Sequence, residues 1–135
     1  MVSSTNPLTF TTETLAGLKK QEIKAKGHDG KEHRYTGVAF VDLLTQAGVL
    51  LGKAPRGKNL TRYVLVQAVD GYQAVFSLLE MDPEFAKEVV LLAYLVDGKP
   101  LAAGEGPFRI VAPADKKQTR WVRQLVSIQV LSAKE

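Results

Sequence analysis

The sequence contains no cysteine. That absence removes disulfide scaffolds, cysteine-ligated zinc, iron–sulfur clusters and thiol nucleophiles from consideration. It leaves the compartment open, because a chain without thiols suits an oxidising space as well as a reducing one. Histidine is nearly as scarce, at two residues, and there is a single tryptophan. No apolar run reaches the roughly 18 residues that a membrane-spanning helix needs, and the longest central one, Val89 to Val96, fits a buried strand. Met1 to Thr12 has neither a charged first segment nor an apolar stretch after it, so no leader is read there. No internal repeat, low-complexity segment or G-x-S-x-G elbow occurs. Gly104-Glu105-Gly106 lacks the third glycine of a dinucleotide fingerprint and opens no long helix.

What is present describes one domain. The chain has 135 residues and 45% hydrophobic content; a chain of this size buries roughly two-thirds of its unfolded surface and needs no metal or disulfide staple. Residues 1–7 read as a polar tail and 8–132 as the domain. Eighteen basic residues against fourteen acidic ones give a net charge of +4. The excess lies in Lys19 to Arg34, in Lys53 to Arg62 and in Asp115 to Arg123, while Glu80 to Glu88 is acidic. A pI near 9.4 meets one criterion for nucleic-acid binding, but the charge is not gathered on one element and the aromatic pattern is thin, so no nucleic-acid partner is expected.

The hydrophobic spacing predicts an α+β fold with a mixed sheet and short helices. Leu8 to Phe10 is a short β-type run. Thr12 to Gly17 is a helical turn with threonine caps and a glycine stop. Gln21 to Lys26 alternates like a half-exposed strand, and Lys31 to Tyr35 returns after the Gly27-His28-Asp29-Gly30 turn. Phe40, Leu43, Leu44 and Ala47 recur at helical spacing and predict a helix over Ala39 to Ala47. Gly52 to Asn59 reads as a loop. Tyr63 to Val69 and Tyr72 to Leu78 flank a two-residue Asp70-Gly71 hairpin turn. Glu80 to Glu88 reads as a short acidic helix with Pro83 in its first turn. Strands follow at Val89 to Val96, Phe108 to Ala112 and Val126 to Leu131, with a helical turn at Lys116 to Val122.

Few residues offer chemistry. His28 and His33 flank one turn and could begin a metal site with Asp29 and Glu32, although two solvated histidines on a hairpin fall short of a full ligand set. Asp82 and Glu84 lie in a solvated acidic stretch where a raised pKa is not expected. Trp121, between Arg120 and Arg123, reads either as a stacking platform for a base or as a core residue. The basic residues Arg109, Lys116, Lys117, Arg120 and Arg123 gather near one end of the sequence, and arginine's planar fork suits phosphate or carboxylate.

The order of motifs resembles a known family. Tyr35-x-Gly37-Val38-Ala39-x-x-Asp42-Leu43-Leu44-x-x-Ala47-Gly48-Val49 is similar to the "W-x-G-V-x-L-x-D-L-L-x-x-A-G-V" segment of the oxidoreductase molybdopterin-binding domain, the catalytic domain of sulfite oxidases. Asp70-Gly71-Tyr72, Leu91-Leu92-Ala93-Tyr94-x-x-Asp97-Gly98-x-Pro100-Leu101, Gly106-Pro107-Phe108-Arg109-Ile110-Val111-Ala112-Pro113 and Arg120-Trp121-Val122 resemble its later motifs in the same order. The resemblance implies the sulfite oxidase-like fold and a molybdopterin cofactor. It also implies a cysteine ligand to molybdenum before the glycine-valine motif, and a histidine before the Arg109 strand. The chain has no cysteine, and Gly104-Glu105-Gly106 stands where that histidine is expected. Of the positions that hold the cofactor in the family, Arg109 and Arg120 keep a basic residue, with Lys116 and Lys117 nearby. These four residues are expected to line a vestigial anion pocket.

The expectation is therefore a small stand-alone member without catalytic residues, metal ligand or bound cofactor. It acts as an exported, periplasmic module for a small anionic ligand or a protein partner. A pterin-binding oxidoreductase subunit lacking the cysteine ligand, and a purely structural interaction domain, are the alternatives.

Overall fold

The computed structural model describes residues 8, 10–27, 29–49, 61–83 and 85–132. The elements run α1 (Thr12–Ala16), β1 (Lys20–Lys26), β2 (Glu32–Ala39), α2 (Phe40–Gln46), β3 (Arg62–Ala68), β4 (Gln73–Ser77), β5 (Leu91–Val96), β6 (Lys99–Pro100), β7 (Arg109–Val111) and β8 (Leu125–Ser132). Single 3-10 turns sit at Leu78–Met81 and Gln118–Arg120. The strands form a sheet in the order β1–β2–β5–β6 with β7 also on β5, and a second sheet in the order β4–β3–β8. Each described pairing is antiparallel. The α+β expectation holds: two short helices accompany two sheets.

Local chemistry accounts for most of these elements. Thr11 caps α1 by accepting from Thr14 N (3.2 Å), while Thr14 Oγ1 accepts from Thr11 N (2.7 Å), so two backbone donors without helical partners are satisfied reciprocally. On β1 the exposed residues Lys20, Glu22, Lys24 and Lys26 alternate with half-buried Gln21, Ile23 and Ala25. Charged residues along an edge strand discourage pairing with a second chain. β2 extends past the expected Tyr35 end because β5 covers its other side, and Tyr35 to Ala39 are buried without alternation. Gly37 is obligatory there. A Cβ at this position would lie 2.0 Å from the Leu92 carbonyl oxygen, where the β2–β5 register shifts between Thr36 and Gly37. In α2, Phe40, Leu43 and Leu44 are 0–1% exposed, which matches the predicted apolar stripe.

Two expectations need correction. The β3–β4 connection is a three-residue loop, Val69-Asp70-Gly71: Ala68 N donates to Tyr72 O (2.8 Å), and Gly71 N donates to Ala68 O (3.0 Å). Only Gly71 has positive φ, at 92°. This is a type I turn closed by a left-handed glycine, which spares Asp70 the strain of a two-residue turn. The acidic helix does not form over the described residues of 80–88. Asp82 turns extended (ψ 119°) at the end of the Leu78–Met81 turn, as a residue before proline must. One further turn follows, with Phe85 N and Ala86 N donating to Asp82 O. The loop expected at Gly52 to Asn59, together with His28 and Glu84, lies outside the described residues.

A shared apolar cluster joins the sheets, with Phe76, Val64, Val66, Ile128 and Val130 from one and Val38, Leu91, Leu92 and Ile110 from the other, each 0–1% exposed. The segment after the second 3-10 turn stitches them. Ile110 N donates to Val122 O, and Leu125 N donates to Phe108 O, both at 2.9 Å. Residues 121–124 consequently lie along β7, and that placement builds the site.

Candidate functional site

Arg109 is the unusual residue of β7. It is 2% exposed, although arginine is seldom buried unless paired. Its Nη1 donates to Glu105 Oε1 at 2.7 Å. Its guanidinium carbon lies 5.4 Å from the Trp121 ring and 5.9 Å from that of Tyr35, within cation–π range. Tyr35 and Trp121 meet edge to face at 5.9 Å, and Trp121 Nε1 donates to Ala112 O (2.9 Å), so the aromatic walls are fixed. Arg109 Nε has no hydrogen-bond partner among the described residues. Burial pulls the Arg109 pKa below the usual arginine value, while Tyr35 and Glu105 pull it back.

Beside this arginine opens a cavity of about 510 Å³, lined by Arg109, Arg123, Gln118, Trp121, Tyr72 and Asp70 among others. Gln118 is held by its Nε2, which donates to Lys26 O (2.7 Å), and its Oε1 is buried without a partner among the described residues. The Tyr72 hydroxyl donates to Thr119 O, so a half-exposed ring is pinned at the rim. Both orphan polar atoms thus belong to lining residues of one cavity.

A second cavity, of about 380 Å³, shares Arg109 and Arg123 and is lined further by Asp29, His33, Tyr35, Asp97 and Glu105. His33 is clasped between carboxylates, Nδ1 to Asp97 at 2.6 Å and Nε2 to Asp29 at 2.9 Å. Hydrogen bonds to Asp97 and then Asp29 raise the His33 pKa. The backbone N–H of Lys31 and then the His33 imidazole lower that of Asp29, and the backbone N–H of Arg34 and then the same imidazole lower that of Asp97. The two turns are therefore tied by an imidazolium. Asp97 occupies a left-handed position (φ 51°) in the β5–β6 turn, which aims its carboxylate back at Arg34 and His33.

Arg120 is elsewhere. Its guanidinium donates to Asp115 (2.8 and 2.9 Å), to Glu80 (2.7 and 3.2 Å) and to Val75 O (3.0 Å), and it stacks 4.1 Å from the Phe76 ring centroid. Hydrogen bonds to the two carboxylates raise its pKa further above the usual value. Burial pushes Glu80 up, but Arg120 and the Ser77 N–H outweigh it and hold Glu80 below its usual value. Arg120 lines a different cavity, of about 530 Å³. Lys116 and Lys117 are exposed and line neither cavity at Arg109. The fold therefore does not gather the four predicted residues: it keeps Arg109, joins to it Arg123 from the wider basic set read in the sequence, and brings in Gln118 and Tyr72, which the sequence did not assign to the pocket. Trp121 is 5% exposed and belongs to the core cluster, so the core reading of this residue holds. No group of three or more His, Cys, Asp or Glu side chains among the described residues is placed to hold a metal ion, and no described helix is long and apolar enough to cross a membrane.

The sequence model of the oxidoreductase molybdopterin binding domain matches residues 3–135. No curated protein matches the chain. The residues present do not fit a thiolate-held molybdenum centre. The chain has no cysteine, and the start of β2 presents an imidazole, His33, engaged on both nitrogens by hard carboxylates, where that metal calls for a soft anionic sulfur. With the match spanning nearly its whole length, the chain belongs to the oxidoreductase molybdopterin binding domain family, as a member without the cysteine ligand.

Proposed function

We propose that the chain is a non-catalytic member of its family that binds a small anionic ligand in the cavity beside Arg109, with Arg123 as the second cation. The observation that carries this reading is the state of Arg109: a buried guanidinium with one carboxylate partner and an unsatisfied Nε. A buried donor left unmatched costs about 1–3 kcal/mol, and an acceptor supplied by a ligand removes that cost. The size of the cavity supports the same reading, since small-molecule sites span roughly 300–1,000 Å³. The anion pocket expected at Arg109, Arg120, Lys116 and Lys117 is thereby redrawn around Arg109 and Arg123.

The test is a thermal-shift screen with phosphates, nucleotides and organic acids. A stabilising anion is expected, and Arg123→Glu is expected to abolish the shift; a shift that survives this substitution rejects the site. Metal analysis and pterin fluorescence on protein expressed with molybdate address the alternative of a pterin-binding oxidoreductase subunit, and both are expected blank. Export is part of the proposal and rests on the family resemblance alone. Fractionation of cells expressing the native gene should recover the protein outside the cytoplasm.

A further inference from the structure

We infer that the ligand of this cavity is a planar aromatic carboxylic acid carrying a hydroxyl or amino donor, in preference to a phosphate. The inference deepens the anion-binding reading above and rests on it.

Charge argues first. Arg109 and Arg123 bring two positive charges to the cavity, but Asp70 lines the same cavity and Glu105 is bonded to Arg109. The sum is zero. Across Arg109, the second cavity adds Asp29 and Asp97 against the single imidazolium of His33. A doubly charged phosphate would enter a neighbourhood with no net positive charge to receive it. A carboxylate adds one charge and matches arginine's fork.

The unmatched atoms argue second. Arg109 Nε is a donor and Gln118 Oε1 an acceptor, both buried and unpaired among the described residues. The Gln118 assignment is fixed because Nε2 donates to Lys26 O. A simple carboxylate, ionised, offers acceptors to the arginines but no donor to Gln118, whereas inorganic phosphate keeps a P–OH at neutral pH and is disfavoured by its charge alone. A hydroxyl or amino group on the same ligand supplies the missing donor.

The walls argue third. Trp121 is anchored through Ala112 O, and Tyr72, 50% exposed, is pinned through Thr119 O. An aromatic ring held rigid at a cavity rim contributes contact area with little entropy to lose, which favours a flat partner.

The chain's only tryptophan lines the cavity, so its fluorescence, excited at the red edge, reports binding there. Full-length protein is titrated with benzoate, the ortho, meta and para hydroxybenzoates, acetate and inorganic phosphate. Benzoate is expected to bind at least about tenfold more tightly than acetate or phosphate, and one hydroxybenzoate isomer more tightly again. Tyr72→Ala should bring benzoate towards acetate. Gln118→Met should remove the hydroxyl's gain while leaving benzoate binding. Glu105→Gln should raise phosphate affinity relative to benzoate. Arg109→Gln risks misfolding, so Arg123→Gln, at an exposed position, serves as the charge variant and should weaken every carboxylate. Phosphate binding as tightly as benzoate overturns the ligand class and leaves the anion-binding reading standing. Hydroxybenzoates no tighter than benzoate, or a gain that persists in Gln118→Met, overturns the donor requirement. Failure of every anion to change Trp121 fluorescence or melting temperature overturns both readings.

Discussion

At the scale of single residues, burial and pairing separate arginines that look alike in sequence. Arg120 is a brace: with its fork closed on Glu80 and Asp115, it ties the turn after β4 to the 113–120 segment. Arg120→Met is expected to destabilise the fold by about 1–3 kcal/mol, between the limits for exposed and buried pairs, as read from urea denaturation, and to leave anion binding at Arg109 in place. The His33 clasp makes a pH prediction. The His33 pKa is raised above 6.5, so its contribution is complete below that value and disappears as pH rises through the folded pKa. Asp29 and Asp97 are lowered below 3.8, so theirs is present above 3.8 and disappears as pH falls through their lowered values. Stability should decline on the alkaline side, and His33→Gln should flatten that decline while keeping His28 as an internal control; an unchanged urea midpoint profile would count against the clasp. Arg109 was legible as a basic residue on a predicted strand. Its partnership with Glu105 was legible only as spacing, since an i, i+4 pair on a turn and strand carries no fixed geometry.

At the scale of elements, periodicity was informative wherever one face is buried. The β1 alternation and the α2 stripe follow from the residue pattern, because water contacts one side of each. The pattern weakened where context decides. β2 continues to Ala39 because β5 covers it, and Pro83 ended a helix whose composition favoured one. Gly37 is the element-level determinant. With backbone 2.0 Å from any added Cβ, Gly37→Ala is expected to cost about 3 kcal/mol, the upper end for overpacking, or to prevent folding. Circular dichroism melts check it, and a neutral result would mean that the β2–β5 bulge can open to admit a methyl group.

At the scale of the whole molecule, the net charge of +4 is less informative than its distribution. Part of it lies on exposed lysines such as Lys20, Lys24 and Lys26 of β1, which do not line the cavity of Arg109 and Arg123. Binding at Arg109, which is shielded from solvent, should therefore weaken only modestly with added salt, whereas exposed charges are screened over about 8–10 Å at physiological ionic strength. Calorimetry with benzoate at low and high salt tests this, and a steep salt dependence would place the anion on the exposed lysines instead. The sequence by itself determined the family, most of the strands, the α2 helix and the loss of a thiolate ligand, because composition, motif order and alternation are properties of the chain. Only the tertiary structure decided which basic side chains share a cavity. Arg109 and Arg120 are eleven positions apart, yet β7 carries one inward under Trp121 while the 3-10 turn carries the other to Glu80. Pairing across strands and burial against a particular ring depend on register and packing between distant segments, and no local pattern encodes those.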